Sequence, residues 1–199
     1  MIAVRDDDVL IKSSSHENSF SHFKTVHNWI CESDKLLHVP AILVTEIQEF
    51  PECIEYIKDE ASKGKMRPEI HGLRHIDYAK LSVEEVVVHL NKCKDFLLDK
   101  FNVNATTWYT PWGANASHLF DAAAECKLKL VDTSRINKLA GRYGMVQLAR
   151  EGRDLNKFLE GGEIFFHWWE GGMRLKRVIE VLKHGSWEAA KAANGEWFE

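Results

Sequence analysis

An apolar run, Ile2-Ala3-Val4, leads through Arg5 into three consecutive aspartates, Asp6, Asp7 and Asp8. Carboxylates at that density repel one another unless a cation or an arginine neutralises them. A solvated turn that caps a helix accommodates the same cluster, so the triplet alone leaves chemistry and structure both open. His71 and His75 stand four apart. On one helical turn their imidazoles would face the same way and reach one metal ion. A chain with ten histidines meets that spacing easily by chance. The zincin form of the motif also needs Glu after the first histidine, where Gly72 stands, which disfavours a zincin protease. His167 closes an apolar run among Phe165, Phe166, Trp168 and Trp169, a setting that suits a core histidine as well as an acid or base. Trp108-Tyr109-Thr110-Pro111-Trp112-Gly113 is a stiff aromatic segment whose rings can pack or stack on sugar rings.

Residues of this kind need strands that end beside one another. Short apolar runs alternate with helix-like stretches throughout, which predicts an α/β protein with a mostly parallel sheet. Ile2–Val4 reads as a strand, Phe20, Phe23, Val26 and Ile30 as one face of a helix, and Val39–Thr45 as a fully buried strand. Pro51 opens a helix burying Ile54, Ile57 and Ala61 that stops at Gly64. Ser82-Val83-Glu84-Glu85 has the form of a capping box, followed by the stripe Val86, Leu90, Cys93, Leu97 and Phe101. Ala116–Lys127 reads as a helix, Leu128–Val131 and Ile164–Phe166 as strands, and Leu175, Val178, Ile179 and Leu182 outline a late helix; Gly185–Glu199 is left as helix or tail. In parallel α/β sheets, functional groups gather at the carboxyl ends of strands. Asp6–Asp8 and His167 occupy such ends, and His71 and His75 lie in a connection.

A length of 199 residues sets the expectation of a single domain, 1–199, large enough to bury a core without disulfides. The composition, 45% hydrophobic and 28% charged, excludes disordered and collagen-like chains. A net charge of −4 gives no electrostatic reason to expect nucleic acid or an anionic membrane as partner. Cys31, Cys53, Cys93 and Cys126 form no C-x-x-C pair and read as thiols of a reducing compartment. With no secretory pattern before Arg5 and no apolar span, the expected location is cytoplasmic.

Taken in order, the chain reads acidic pair, H-x-x-x-H, capped helix, aromatic-Pro-aromatic-Gly segment, and apolar strand ending in His. This resembles the polysaccharide deacetylase family, the NodB-homology or carbohydrate esterase family 4 domain, over nearly the whole chain and best over residues 71–113. The resemblance implies a single distorted barrel of seven or eight β/α units. Its first motif, T-F-D-D-G, maps onto Asp7 as catalytic base and Asp8 as metal ligand, with Val9 in place of Gly; an alternative register moves these roles to Asp6 and Asp7. The second motif, H-[ST]-x-x-H, places metal ligands at His71 and His75, with Gly72 replacing the hydroxyl residue. The third, R-x-P-[FY], falls on Tyr109-Thr110-Pro111-Trp112 and lacks the arginine that orients the base; Arg5 is a candidate replacement for that charge. The fifth places the catalytic histidine at His167. The family's tryptophan motif is not recognisable, and Asp132, near the expected region, receives no role.

The implied activity is metal-dependent removal of an N-acetyl or related acyl group from an amino sugar or saccharide precursor. Zinc is the expected ion, with cobalt, nickel and manganese as substitutes. Tyr109, Trp112 and Trp168 are the expected sugar-binding walls. Two alternatives stand beside it: a catalytically silent carbohydrate-binding barrel, and a hydrolase of another non-peptide C–N bond.

Overall fold

In the computed structural model, residues 2–9, 19–131, 163–167 and 173–195 are described. Strand β1 runs Ile2–Asp7, longer than its apolar run. Its polar end stays extended because it is paired in parallel on both sides, with β2 (Leu36–Leu43) and β6 (Glu163–His167). Strands β3 (Glu69–Gly72), β4 (Thr107–Tyr109) and β5 (Lys129–Val131) continue the sheet in the order β5-β4-β3-β2-β1-β6, with every pairing parallel. This sequential order is that of a distorted (β/α) barrel, of which the described residues supply six strands.

Alternation along the strands sorts side chains to two faces. Val39, Ala41, Tyr109 and Val131, with Ala3 and Leu37 against them, form a small cluster on one face. Ile42, Ile70 and Trp108 belong to a larger core on the other, shared with the helices. Helix α1 (Ser19–Cys31) buries Phe23, Val26 and Ile30. β2 starts earlier than Val39 and ends at Leu43, since Val44 and Thr45 already belong to the short helix α2 (Val44–Ile47) and Thr45 N–H donates to the Leu73 carbonyl. Helix α3 (Pro51–Ser62) has its proline in the first turn, and Gly64 at φ +70° turns the chain away after it.

Helix α4 (Val83–Phe101) opens on a complete capping box, with Glu85 N–H donating to Ser82 Oγ at 3.2 Å and Ser82 N–H to Glu85 Oε2 at 2.8 Å. Its predicted stripe, Val86 to Phe101, is buried. Helix α5 (Ser117–Glu125) packs beside it through Leu119, Ala122 and Ala123. Helix α6 (Met173–His184) buries Val178, Ile179 and Leu182, and in the stretch left open as helix or tail, Gly185–Glu199, residues Trp187–Asn194 form α7, capped by Ser186, while 196–199 lie outside the described residues. Among the described residues no helix is long and apolar enough to cross a membrane.

Candidate functional site

The carboxyl ends of β1, β3 and β4 meet at one point, held in register from below. The buried carboxylate of Glu69 accepts from the N–H groups of Thr106 and Thr107 and from Thr106 Oγ1, all at 2.8–2.9 Å. That clamp sets β4 beside β3, with Trp108 opposite Ile70. One residue further on, His71 Nδ1 therefore faces the Tyr109 carbonyl at 2.7 Å. Trp108 Nε1 donates to the His71 carbonyl at 3.2 Å and fixes the same residue from the helix side.

His71 is the third residue of β3 and His75 lies in the bend that follows. The helical turn expected from their spacing is corrected: a strand end and its turn bring the two rings to a centroid distance of 5.7 Å. Both point at Asp8. Its Oδ1 lies 2.8 Å from His71 Nε2 and 3.0 Å from His75 Nε2. Asp8 leaves β1 at φ +57°, a left-handed conformation that aspartate tolerates better than most residues. Ligand atoms of Asp8, His71 and His75 all lie within 4.8 Å of one another, the group among the described residues suited to holding a metal ion.

The donor chemistry fits a divalent cation. With Nδ1–H of His71 given to the Tyr109 carbonyl, its Nε2 lone pair is directed at a carboxylate oxygen, so positive charge belongs between them. Burial works against charge at both residues. At Asp8 the hydrogen bonds from His71 and His75 outweigh burial and hold the carboxyl well below its ordinary range. At His71 the Asp8 bond and the nearby Asp7 carboxylate outweigh burial and raise the imidazole above its ordinary 6.5.

Asp7 has a different partner. Arg5 Nη2 donates to Asp7 Oδ2 at 3.0 Å and Arg5 Nε lies 2.9 Å from Oδ1. The two residues share a strand face, two apart. Arg5 is fully buried, and its guanidinium sits 4.3 Å from the centroid of the Tyr109 ring. Tyr109, expected to wall a sugar, is only 1% exposed, and this expectation is corrected: its ring carries Arg5 and its carbonyl holds His71. Asp6 points to the opposite face, fully buried with His38 Nε2 3.8 Å away, so the alternative register of Asp6 and Asp7 separates its two residues across the sheet.

Two further features lie outside the sequence reading. A Cβ at position 72 would stand 2.8 Å from Tyr78 Oη. The hydroxyl that fills this space accepts from Leu73 N–H at 2.7 Å and steadies the His71–His75 turn. Glycine in the second motif is thus matched to a tyrosine six residues on, a signal readable only with the structure. Behind Asp6, His38 and His27 face each other through Nδ1 atoms 3.1 Å apart, and His27 Nε2 reaches Glu60 at 3.0 Å.

Trp112 is 75% exposed, with its ring 4.6 Å from that of His75. Its φ of +59° is unusual for so bulky a residue. Its N–H makes no hydrogen bond to a described residue. His167 ends β6 in register with Asp7 on the neighbouring strand. Its side chain, together with Trp168 and Asp132, lies outside the described residues.

A parallel barrel with Asp, His and His converging at its strand ends defines a class before any comparison is made. No protein-family model and no curated protein sequence matches this chain. Among solved structures it is similar to a family 4 carbohydrate esterase from Streptomyces lividans in complex with acetate, at TM-score 0.61 and 13% identity over 98% of this chain and 88% of that one. It is also similar to the peptidoglycan deacetylase PdaC from Bacillus subtilis, at TM-score 0.59 and 18% identity over 93% and 84%. A third, a family 4 pseudoenzyme from Bacillus anthracis, matches at TM-score 0.61 and 10% identity over 96% of this chain and 60% of that one. The chain has the fold of the family 4 carbohydrate esterases. An active and a silent protein share that fold, so function is argued from the site.

Proposed function

We propose that this chain is a metal-dependent hydrolase that removes an N-acetyl or related acyl group from an amino sugar. The convergence of Asp8, His71 and His75 beside an arginine-held Asp7 carries the proposal. Asp8, His71 and His75 would hold the ion, zinc foremost, which when bound supplies a water of lowered pKa and polarises the acyl oxygen.

The remaining work falls to the chain's own groups. A carboxylate has about four lone-pair sites, so Asp7 can accept a proton from the attacking water while both its oxygens contact Arg5. The Trp112 N–H is available to the oxyanion that forms as water adds to the acyl carbon. His167, placed by β6 next to the end of β1, donates a proton to the departing amine. The C–N bond breaks, leaving acetate and a free amino sugar. The exposed Trp112 ring supplies an apolar platform for the sugar beside His75. The silent-barrel alternative drew its support from Tyr109 standing where the family has arginine, and the Arg5–Asp7 contact supplies that charge from another strand.

Zinc content and acetate release from a panel of N-acetylated amino-sugar oligomers test this reading together. Wild-type protein is expected to hold one zinc per chain and release acetate, and Asp8→Asn to lose both. Unchanged zinc content in Asp8→Asn would remove the metal assignment.

A further inference from the structure

The two histidines that face Asp8 are held unequally. His71 gives its Nδ1–H to the Tyr109 carbonyl at 2.7 Å, and Trp108 Nε1 donates to its own carbonyl at 3.2 Å. The turn beyond it is pinned as far as Leu73. Tyr78 Oη accepts from the Leu73 N–H at 2.7 Å, and the Leu73 carbonyl accepts from Thr45 N–H at 3.0 Å and Thr45 Oγ1 at 2.8 Å. His75 stands two residues past that clamp. Its side chain is 19% exposed against 4% for His71, and beyond the Asp8 contact at Nε2 its ring makes no hydrogen bond to a described residue. A metal-binding imidazole ordinarily has its second nitrogen fixed by a carbonyl, a carboxylate or water. Here the neighbour is a ring: Trp112 lies with its centroid 4.6 Å from that of His75 and its plane at 55°, within the range of attractive ring pairs.

Trp112 owes its place to the main chain. Gly113 N–H donates to the Thr110 carbonyl and Ala114 N–H to the Pro111 carbonyl, both at 3.2 Å, and Thr110 Oγ1 donates to the Ala114 carbonyl at 2.9 Å. The turn is closed, but the ring stands out of it, 75% exposed, and among the described residues its one ring contact is His75. A sugar stacked on the open side of that ring removes its remaining freedom, and with it that of His75.

We propose that Trp112 is a positioning residue for His75, acting through ring contact where His71 uses a hydrogen bond, and that a sugar stacked on Trp112 tightens the metal site. Sugar and metal then bind with positive coupling, which is reciprocal: the metal-loaded chain holds the sugar more tightly than the metal-free one. The proposal rests on the reading of Asp8, His71 and His75 as metal ligands and of Trp112 as a sugar platform.

The test measures zinc Kd for the full chain by competition with a chromophoric chelator, in wild type, Trp112→Phe, Trp112→Ala and His75→Ala. Each is measured alone and with a pentamer of β-1,4-linked glucose, which offers ring faces but has no acyl group to touch the metal or be hydrolysed. Without sugar, Trp112→Ala is expected to raise the zinc Kd about tenfold or more, Trp112→Phe to stay within about threefold, and His75→Ala to lose the most. The sugar is expected to lower the wild-type Kd by about fivefold or more and to leave that of Trp112→Ala unchanged. A wild-type zinc Kd in Trp112→Ala overturns the positioning role. A wild-type Kd that does not respond to the sugar, or an equal response in Trp112→Ala, overturns the coupling. A wild-type chain that binds no zinc overturns the metal reading and this inference together. If zinc behaves as expected but no acetate is released from a pentamer of N-acetylglucosamine, the substrate assignment alone fails and the role of Trp112 stands.

Discussion

The Tyr109 carbonyl accepts the Nδ1–H of His71 at 2.7 Å, while the ring of the same residue lies under Arg5. One residue of β4 thereby supports both sides of the site, through its main chain toward His71 and through its side chain toward Arg5 and Asp7. The two roles can be separated. Tyr109→Ala keeps the carbonyl and removes the ring. Losing a large buried aromatic costs about 3–5 kcal/mol in stability, measured by denaturant unfolding, whereas zinc stoichiometry is expected to stay at one per chain and acetate release to fall. Loss of zinc in a folded Tyr109→Ala protein would contradict this division.

Substitution at the exposed tryptophan should separate stability from binding. Trp112 holds a left-handed backbone conformation at φ +59° with its ring in solvent, an arrangement that costs a non-glycine residue about 1–2 kcal/mol. Trp112→Gly is expected to raise stability by up to about 1 kcal/mol, the relief of strain being partly offset by added freedom in the unfolded chain. The same variant should raise KM for the N-acetylglucosamine pentamer. A stability loss with unchanged KM would assign the ring to packing.

The paired replacement at Gly72 and Tyr78 predicts non-additive energetics. Gly72→Ser puts a Cβ 2.8 Å from Tyr78 Oη and 3.0 Å from its ring. Forcing a group into such a space costs about 1–3 kcal/mol. Tyr78→Leu empties the same space and is destabilising by itself. In a double-mutant cycle followed by unfolding, the combined variant should be more stable than the sum of the single losses predicts. Strict additivity would mean that the two residues do not compete for one volume.

Stability of the metal-free chain should decline as pH falls through the histidine range. Burial lowers the pKa of His27, and burial followed by the neighbouring His27 charge lowers that of His38 well below its ordinary 6.5. Groups depressed in this way bind protons in the unfolded chain but not in the folded one as pH drops below about 6.5, at up to about 1.4 kcal/mol per pH unit for each. His71 acts in the opposite sense, because its raised value favours the folded state below 6.5 and gives that stability up as pH rises. Burial also lowers His89, so with three histidines against one, unfolding midpoints at pH 5.5 should lie below those at pH 7.5, and His38→Asn should flatten the slope. A midpoint that rises on acidification would show that His71 dominates.

The sequence disclosed the elements that local signals define. Ser82 with Glu85, the stripe behind them, Pro51 and Gly64 each act within a few residues, and α3 and α4 follow. β3 and β4, of four and three residues, are too short for a periodic pattern, and β4 hid inside an aromatic segment whose rings suggested a sugar wall. The order of Asp8, His71 and His75 was readable by resemblance, but their convergence is not helical, so the spacing pointed to residues that do meet, by the wrong geometry. Arg5 could be suspected from its charge; its grip on Asp7 required knowing that a strand places residues two apart on one face. Tyr109 was misread because its decisive neighbour, Arg5, lies on β1, far away in sequence and brought close only by the sheet.

Strand β1 carries Arg5 and Asp7 and leads directly to Asp8, and its pairing with β6 joins positions about 160 residues apart in sequence, a separation that makes such contacts slow and late to form. A nascent chain therefore exposes its acidic triplet long before the strand that flanks it has been synthesised. Arg5, Asp7 and Asp8 are made well before β6, and the order of the site as a working constellation is among the last things folding supplies.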